Sequence, residues 1–288
     1  ILKQTAKNNN ADGAKTQKKG GEIMAGAKHE IYTELEKRQI RVYSCIDACE
    51  LEIIQPHLMP SGIKSAFLWL IPYRTGDYPD RNVSLYSVSR DYHLFSSILK
   101  AELTPRLEEL YPGEKFYFFS DSSPINEVAA AVKCGLGVYG SNRLLINPTY
   151  GSYVFIGSVL TTLPFDSQYT INHTGGKKRC LMCGKCAAEC DFLSGKRSYC
   201  YSELNQRKAV TDEELDVIRS RKVRWGCDDC QEVCPMNAKA EFTPISFFYE
   251  DAKPNIDEEY INSLTKSEFR SRAYSWRGKK VILRNISD

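Results

Sequence analysis

The sequence lacks several features that mark common classes of protein. No apolar run approaches the ~18 residues that a membrane-spanning helix needs, and the most apolar one, residues 66–71, ends at Pro72. Residues 1–23 contain no apolar core of a secretory signal. No Gly-Lys-Ser/Thr phosphate loop is present, so an ATP site loses support. The net charge of +3 is too small to indicate a nucleic-acid partner by itself.

What the sequence does contain is cysteine, with eleven in 288 residues. Without a secretory signal, these thiols are expected in the reducing cytoplasm, where they remain free to bind metal. We therefore expect a soluble cytoplasmic protein with metal–thiolate chemistry rather than a disulfide framework.

Eight of the cysteines lie between Cys180 and Cys234, and seven of them form two runs with ferredoxin spacing. The first run is Cys180-x2-Cys183-x2-Cys186-x3-Cys190, in which the first three thiolates bind one 4Fe-4S cluster and the fourth binds another. The second run, Cys227-x2-Cys230-x3-Cys234, ends at a proline, as this motif expects. The crossing rule assigns to cluster 1 the residues Cys180, Cys183, Cys186 and Cys234. Cluster 2 takes Cys190, Cys227 and Cys230, with Cys200 as the nearby candidate for its fourth ligand.

Zinc is the alternative metal, because paired Cys-x2-Cys units also form zinc sites. A third cysteine at the same spacing, however, has no use in a zinc site with four ligands. One departure from the ferredoxin motif is Asp191, which stands where a proline usually follows the fourth cysteine. The remaining cysteines are isolated and are interpreted as small buried apolar residues without a function. They are Cys45, Cys49 and Cys134.

The segment before the clusters is too long for a simple ferredoxin. We expect residues 1–24 to be a disordered lead, with folded sequence from about Met24. The pattern beyond it predicts strands at 66–72, Phe116–Phe119 and Tyr153–Leu160, and helices at Tyr92–Leu110 and Pro124–Cys134. The fold class is therefore α+β, with a mixed α/β domain before the clusters.

Two short segments of this domain suggest a ligand site. Asp121-Ser122-Ser123-Pro124 has the composition of a helix N-cap, which is the plain interpretation of Asp121. Gly137 and Gly140 lie in a loop that permits close backbone approach to a flat ligand, although glycine is also common in ordinary turns.

Together these blocks resemble the epoxyqueuosine reductases, cobalamin-dependent iron–sulfur enzymes of queuosine tRNA modification. The resemblance covers most of residues 50–286 and includes both cysteine runs. Its other blocks are Ser89-Arg90-Asp91-Tyr92-His93, Asp121 to Pro124, Gly135 to Asn142, Asn147 to Gly157, Ser275 to Lys280 and Leu283-Arg284-Asn285. It implies a corrinoid-binding catalytic domain at 25–170, a double-cluster module at 171–240 and a basic helical tail at 241–288.

The resemblance also implies residue roles. By position Asp121 is the proton donor over the corrinoid, and Leu145 and Ile156 are further cobalamin contacts. The implied reaction reduces epoxyqueuosine to queuosine in tRNA, with electrons passing through the two clusters from an external ferredoxin or flavodoxin. The implied protein is a monomer. His93, in Asp91-x-His93, is expected to be a core or hydrogen-bonded histidine rather than a cobalt ligand, because the glycine of the cobalt-binding pattern is missing.

A basic stripe near the C-terminus could hold tRNA phosphates, with Tyr274 and Trp276 stacking on a base. A solvated helix face is the alternative. Its cations are Lys266, Arg270, Arg272, Arg277, Lys279, Lys280 and Arg284. Many relatives carry lysine at the position of Ser141, and some have a helical-repeat extension that this sequence lacks. Another corrinoid-dependent reduction is therefore an alternative function. A two-cluster electron-transfer protein without a corrinoid is the alternative of a different class.

Overall fold

The computed structural model describes residues 29–287, so the predicted disordered lead lies outside the described residues. No helix within the described part combines the length and apolar character needed to cross a membrane. Helices and strands are both present, which confirms the mixed α and β character predicted from the sequence.

An antiparallel four-stranded sheet forms the centre of the first half of the chain. Its strand order is β1-β2-β6-β3, so β2 and β6 are the inner strands. The strands are β1 (Tyr43–Asp47), β2 (Ser65–Pro72), β3 (Phe116–Phe119) and β6 (Val154–Thr161). A separate hairpin pairs β4 (Val138–Tyr139) with β5 (Leu145–Ile146).

Helices cover both faces of the sheet because β2 alternates between two apolar surfaces. Phe67, Trp69 and Ile71 pack with α1 (Glu30–Glu36) and α3 (Tyr92–Leu110). Leu68 and Leu70 face the other way, in a cluster that includes Ala130 and Ala131 of α4 (Glu127–Lys133). Strand β2 is therefore buried on both faces.

Short helices make up the cysteine region and the C-terminal segment. They are α2 (Leu85–Val88) near the sheet, α5 (Lys185–Glu189), α6 (Tyr201–Asn205), α7 (Asp212–Ser220) and α8 (Asp229–Glu232) in the cysteine region, and α9 (Glu258–Ser263), α10 (Lys266–Arg270) and α11 (Lys279–Ile286) in the tail. Val83, Trp225, Tyr274 and Ile282 share one buried cluster, so residues from all three predicted domains meet in a common core. The domain boundaries stay predictions.

Most predicted elements are confirmed, and the helix after Asp121 is the main difference. The helix Tyr92–Leu110 and the strand Phe116–Phe119 have the predicted bounds. The helix predicted from Pro124 begins only at Glu127. Residues 124–126 are held extended by residues 52–55, because the backbone amides of Ile54 and Gln55 donate to the Pro124 carbonyl.

Candidate active site and cysteine clusters

A cavity of about 520 Å³ lies where the sheet, the cysteine region and the C-terminal tail meet. This volume is within the ordinary range of ligand sites, roughly 300–1,000 Å³. Its lining residues are Tyr86, Asp91, Tyr92, His93, Asp121, Ser122, Phe155, Gln206, Ala273 and Trp276. A larger cavity of about 790 Å³, beside His29 and Asp166, contains none of the predicted site residues.

Asp121 reaches this cavity through an unusual backbone conformation. Its φ of 64° lies in the left-handed region, which costs a non-glycine residue free energy and which aspartate tolerates better than most. The amide of Ser123 donates to the Asp121 carbonyl at 2.9 Å, which tightens the turn. The Asp121 carboxylate accepts a hydrogen bond from the Tyr92 hydroxyl and lies 3.4 Å from Nε2 of His93. Strained backbone of this kind is concentrated at functional sites.

The interpretation of Asp121 as a helix cap is wrong. The N-cap of α4 is Asn126, whose Oδ1 accepts from the backbone amide of Ala129 at 3.1 Å. The extended pairing of residues 124–126 moves the helix start away from Asp121, so the Asp121 carboxylate is left free to face the cavity.

Two carboxyl groups near the cavity hold their protons more tightly than usual. Loss of hydration, followed by the charge of Asp91, raises the pKa of Asp121. The Asp121 side chain is 66% accessible and faces the cavity. Burial raises the pKa of Glu127 to about 7, although Ser158 donates a hydrogen bond to it at 3.2 Å. Glu127 therefore titrates near neutral pH, and the pKa of Asp121 is shifted in the same direction.

His93 connects two carboxylates at the cavity wall. Its Nδ1 lies 2.9 Å from Oδ1 of Asp91, and its Nε2 faces Asp121. With Nδ1–H donating to Asp91, Nε2 is available to share a proton with Asp121. His93 is half exposed, so the expectation of a hydrogen-bonded histidine is confirmed and that of a core histidine is wrong.

The four cysteines predicted for cluster 1 line one small cavity. Cys180, Cys183, Cys186 and Cys234 meet there beside Ser141 and Asn142 of the loop between β4 and β5. The amide of Met182 donates to Sγ of Cys180 at 3.5 Å, and the Ser141 hydroxyl lies 3.7 Å from the same sulfur. These contacts lower the pKa of Cys180, which favours the thiolate that a metal binds.

The cysteines predicted for cluster 2 are neighbours as well. Burial, followed by the charges that Cys190 and Cys200 carry as thiolates, raises the pKa of Cys230 to about 12. Cys227 also lies near Cys200. The structure thus brings Cys200 near Cys227 and Cys230 of its set. Its ligation stays a prediction.

The spacing of the side chains bears on the choice between zinc and iron–sulfur clusters. Among residues 29–287, no three His, Cys, Asp or Glu side chains converge as one metal ion requires. A zinc ion needs four ligands at about 2.0–2.3 Å from a single point. A cubane takes one thiolate at each of its four irons, so its ligands stand further apart. The choice between zinc and iron–sulfur clusters stays a prediction.

The two predicted cobalamin contacts lie outside the 520 Å³ cavity. Leu145 is buried in the apolar cluster beneath α4, and Ile156 packs against the same cluster. Phe155, which sequence reasoning missed, faces the cavity instead and stacks on Tyr92 with ring centroids 3.8 Å apart. The alternation of side chains along β6 accounts for this difference. The cofactor role of Leu145 and Ile156 stays a prediction.

The basic stripe is smaller than predicted. Arg272 is buried and donates to the carbonyls of Asp251 and Val88, and Tyr274 is fully buried, so neither meets solvent as a tRNA contact requires. Arg284 donates to the Arg207 carbonyl at 3.0 Å. Trp276 is 57% exposed at the cavity, with the Arg277 guanidinium 3.7 Å from its ring centroid. The exposed cations of the stripe are Lys266, Arg270 and Lys280.

Comparison with known proteins identifies relatives along most of the chain. It is 34% identical to an epoxyqueuosine reductase from Listeria monocytogenes over 212 residues, which are 68% of this chain and 53% of the relative. It is 30% identical to one from Gloeobacter violaceus over 222 residues, 72% of this chain and 69% of the relative. The match covers 61% of a third, from Lactococcus garvieae. The chain thus spans little more than half the length of some relatives. No protein-family model matches it.

Solved structures share the fold. The epoxyqueuosine reductase of Streptococcus thermophilus superposes with a TM-score of 0.69 at 22% identity, covering 89% of this chain and 79% of that one. An epoxyqueuosine reductase solved with an epoxyqueuosine-modified tRNA-Tyr stem loop has a TM-score of 0.70, with the same coverage and identity. Because it is 30% identical to the Gloeobacter violaceus protein over 69% of that relative, the chain belongs to the epoxyqueuosine reductase family.

Proposed function

We propose that this chain reduces epoxyqueuosine in tRNA to queuosine, with cobalamin and two 4Fe-4S clusters as its cofactors. The observation that carries the proposal is the carboxyl of Asp121, held at a cavity wall by a left-handed turn and facing His93. Family membership and the two neighbouring cysteine sets support it.

The chemistry explains why an acid belongs at this position. Conversion of an epoxide to a carbon–carbon double bond consumes two electrons and two protons and releases the oxygen as water. Oxygen leaves poorly unless an acid protonates it. Asp121 would supply that proton, because its raised pKa keeps more of it protonated near neutral pH than an ordinary aspartate. His93, backed by Asp91, would return a proton to Asp121.

The cofactor sites are proposed on the same residues. When bound, the corrinoid would supply the low-potential reduction and the clusters would supply single electrons. The stacked rings of Tyr92 and Phe155 offer a flat apolar wall beside Asp121. A smaller cavity of about 200 Å³, lined in part by Ser96, Lys100 and Ser120, shares His93 with the first and extends it with polar groups. These features suit a large ligand with an apolar body and a polar tail.

We propose that tRNA binds on the side of the cavity where Trp276 lies. Its exposed ring lies at the cavity wall and is backed by Arg277, which suits stacking on an unpaired base. The three exposed cations of the tail would bind phosphates. In domain terms, residues 25–170 would hold the corrinoid, 171–240 the clusters and 241–288 the tRNA contacts.

The test is a preparation made without oxygen from cells supplied with cobalamin. Iron, sulfide and cobalt are measured on one sample, and epoxyqueuosine tRNA is then assayed for queuosine by mass spectrometry of the digested RNA. We expect about eight irons and one cobalt per chain, with product formation. Eight irons without cobalt or product would instead support the two-cluster electron-transfer protein. Zinc in place of iron would refute the proposal.

A further inference from the structure

A basic and apolar surface covers the first cysteine set. It consists of residues 177–185 and is called the 177–185 surface below. Two of its side chains are large, apolar and exposed, namely Leu181 at 63% and Met182 at 68%. Cys183, a predicted cluster 1 ligand, is itself exposed between them and α5. The surface therefore places an exposed apolar contact directly over the proposed cluster.

The charges of this surface are all of one sign. Its four cations are exposed, and none of them forms an ion pair with another residue of the described chain; they are Lys177, Lys178, Arg179 and Lys185. No acidic residue occurs between positions 177 and 185, and Glu189 is the first acid after them. Four unneutralised cations around an apolar centre favour an acidic protein partner.

The two cysteine sets differ in what they face. Cys190, Cys200, Cys227 and Cys230 are all half-buried, whereas Cys183 of the first set is exposed. Cys200 precedes α6, and Gln206, directly after α6, lines the candidate active site. Gly226, next to Cys227, lies against Tyr86, another residue of that cavity. The first set therefore reaches solvent at Cys183 alone, because Cys180 and Cys186 are buried and Cys234 is half-buried, and the second set lies on the side of the active site.

From these contacts we propose that the 177–185 surface is the docking site for a small acidic one-electron carrier protein, which delivers electrons to the first cluster. The inference rests on the proposed function, because it requires that the cysteine sets hold clusters. Each docking event moves one electron. The carrier would lose one electron, a cluster held by Cys180, Cys183, Cys186 and Cys234 would accept it and pass from its 2+ to its 1+ state, and no atom or proton would be exchanged.

An RNA contact is the competing use of a basic surface, and its composition argues against it. Residues 177–185 contain no aromatic side chain on which a base could stack, and the exposed apolar groups are aliphatic. Exposed leucine and methionine side chains surrounded by positive charges suit a transient protein contact. The charges steer the partner's approach, and the small apolar patch is buried in the complex.

The test follows reduction of the iron-loaded, oxygen-free protein by reduced flavodoxin, an acidic carrier, in a stopped-flow spectrometer. The variant Lys178→Glu with Lys185→Glu reverses two charges of the surface. The matched control, Lys64→Glu with Lys115→Glu, makes the same charge change at exposed residues preceding β2 and β3. We expect the second-order rate constant of the surface variant to fall on the order of tenfold at low salt, and the difference to shrink as salt screens the charges. The control should stay near wild type.

Two further measurements distinguish carrier docking from a damaged cluster and from an RNA contact. Reduction by dithionite and affinity for a tRNA stem loop should be unchanged in the surface variant. Leu181→Ser tests the apolar contact and should slow flavodoxin reduction at both low and high salt. Equal rates in wild type and both surface variants, failure of flavodoxin to reduce the wild type, or loss of tRNA affinity instead of flavodoxin reduction would each overturn the docking site. Protein without iron would refute the proposed function and the docking site together, and iron analysis reveals that before flavodoxin is added.

Discussion

Asp121→Asn keeps the shape of the side chain and removes its proton. We expect turnover of epoxyqueuosine tRNA to fall by about 100- to 10,000-fold, the usual contribution of a general acid. Cobalamin binding, followed by the visible spectrum of the bound corrinoid, should persist because Asn occupies the same volume. The control is Asp77→Asn, which removes an exposed carboxylate from a surface ion pair with Arg74. Retained turnover in Asp121→Asn would remove Asp121 from the acid role.

Glu127→Gln should change how stability depends on pH. The pKa of Glu127 is raised to about 7 in the folded protein from an ordinary value near 4.5, so the unfolded chain loses this proton at lower pH. The contribution of Glu127 to the free energy of unfolding is therefore greatest below its pKa in the unfolded chain. It is lost as the pH rises through its pKa in the folded protein. Gln has no proton to lose. The free energy of unfolding of Glu127→Gln, relative to that of the wild type, should therefore rise by about 1 kcal/mol between about pH 6 and about pH 8.5. Apparent melting temperatures at both values measure it, and a constant difference between variant and wild type would contradict the burial argument.

These two carboxyl groups also show what a sequence reveals about single residues. The position of Asp121 at a cavity wall agrees with the block in which it lies, and its role as an acid stays a prediction. Its alternative, the helix cap, failed because residues 124–126 pair with a segment some seventy residues earlier in the chain. Glu127 resembles any acidic residue at a helix start, where the helix dipole favours it. Its partner Ser158 comes from β6, 31 residues away, so nothing local indicates its burial.

At the scale of elements, α8 is anchored by a buried ion pair beside the second cysteine run. Asp228 is 1% exposed, and its Oδ2 accepts from Arg81 at 3.0 Å and from the Leu85 amide at 2.8 Å. Asp228→Ala removes the buried carboxylate partner of Arg81 and leaves it the half-exposed Glu232 and the Tyr78 carbonyl, so the free energy of unfolding should fall by about 3–5 kcal/mol. We expect loss of iron as well, because Cys227 and Cys230 flank the anchor.

The matched control for this prediction is Glu232→Gln. Glu232 also pairs with Arg81, but its side chain is about half exposed, so its removal should cost only about 0–1 kcal/mol. Iron content and melting temperature are measured for both variants. Full iron and an unchanged melting temperature in Asp228→Ala would show that the ion pair does not hold α8.

Regular elements were predictable wherever the pattern was long or the spacing strict. The helix Tyr92–Leu110 has the predicted bounds because five regularly spaced apolar side chains, including Leu99, Leu103 and Leu107, are buried along it. Cysteine spacing likewise placed the first set of thiols around one cavity. The anchor at Asp228 left no comparable signal, since Arg81 is 147 residues away in the sequence.

At the scale of the whole molecule, the sheet order could not be predicted. The neighbouring strands β2 and β6 are separated by more than eighty residues in the sequence. The sequence of a short apolar strand does not indicate which other strand it pairs with. The tail gives a second example. Its basic pattern indicated an exposed RNA-binding stripe, whereas Arg272 and Tyr274 are buried against other parts of the chain.

A chain ending at Asp257 tests whether the tail is an appendage or part of the core. The truncation removes Ile261, Tyr274, Val281 and Ile282, which are all buried in the cluster around Trp225. Each such side chain stabilises the fold by about 1.5–3 kcal/mol. Four of them amount to a large share of a typical total stability of about 5–15 kcal/mol. We therefore expect the truncated chain to lose iron and melt at a much lower temperature, besides losing tRNA affinity.

The control for the truncation is Lys266→Glu with Lys280→Glu, which changes only exposed charges of the tail. It should weaken tRNA binding, more so at low salt, while iron content and melting temperature stay at wild-type values. A truncated chain with full iron and an unchanged melting temperature would show that the cluster region is stable without the tail. In that case the predicted boundary near residue 240 would mark a true domain border, and the shared core around Trp225 would contribute little to stability. Loss of iron in the truncation alone would mean that the segment proposed to bind tRNA also holds the cysteine region in place, which ties substrate contacts and electron delivery to one folding unit.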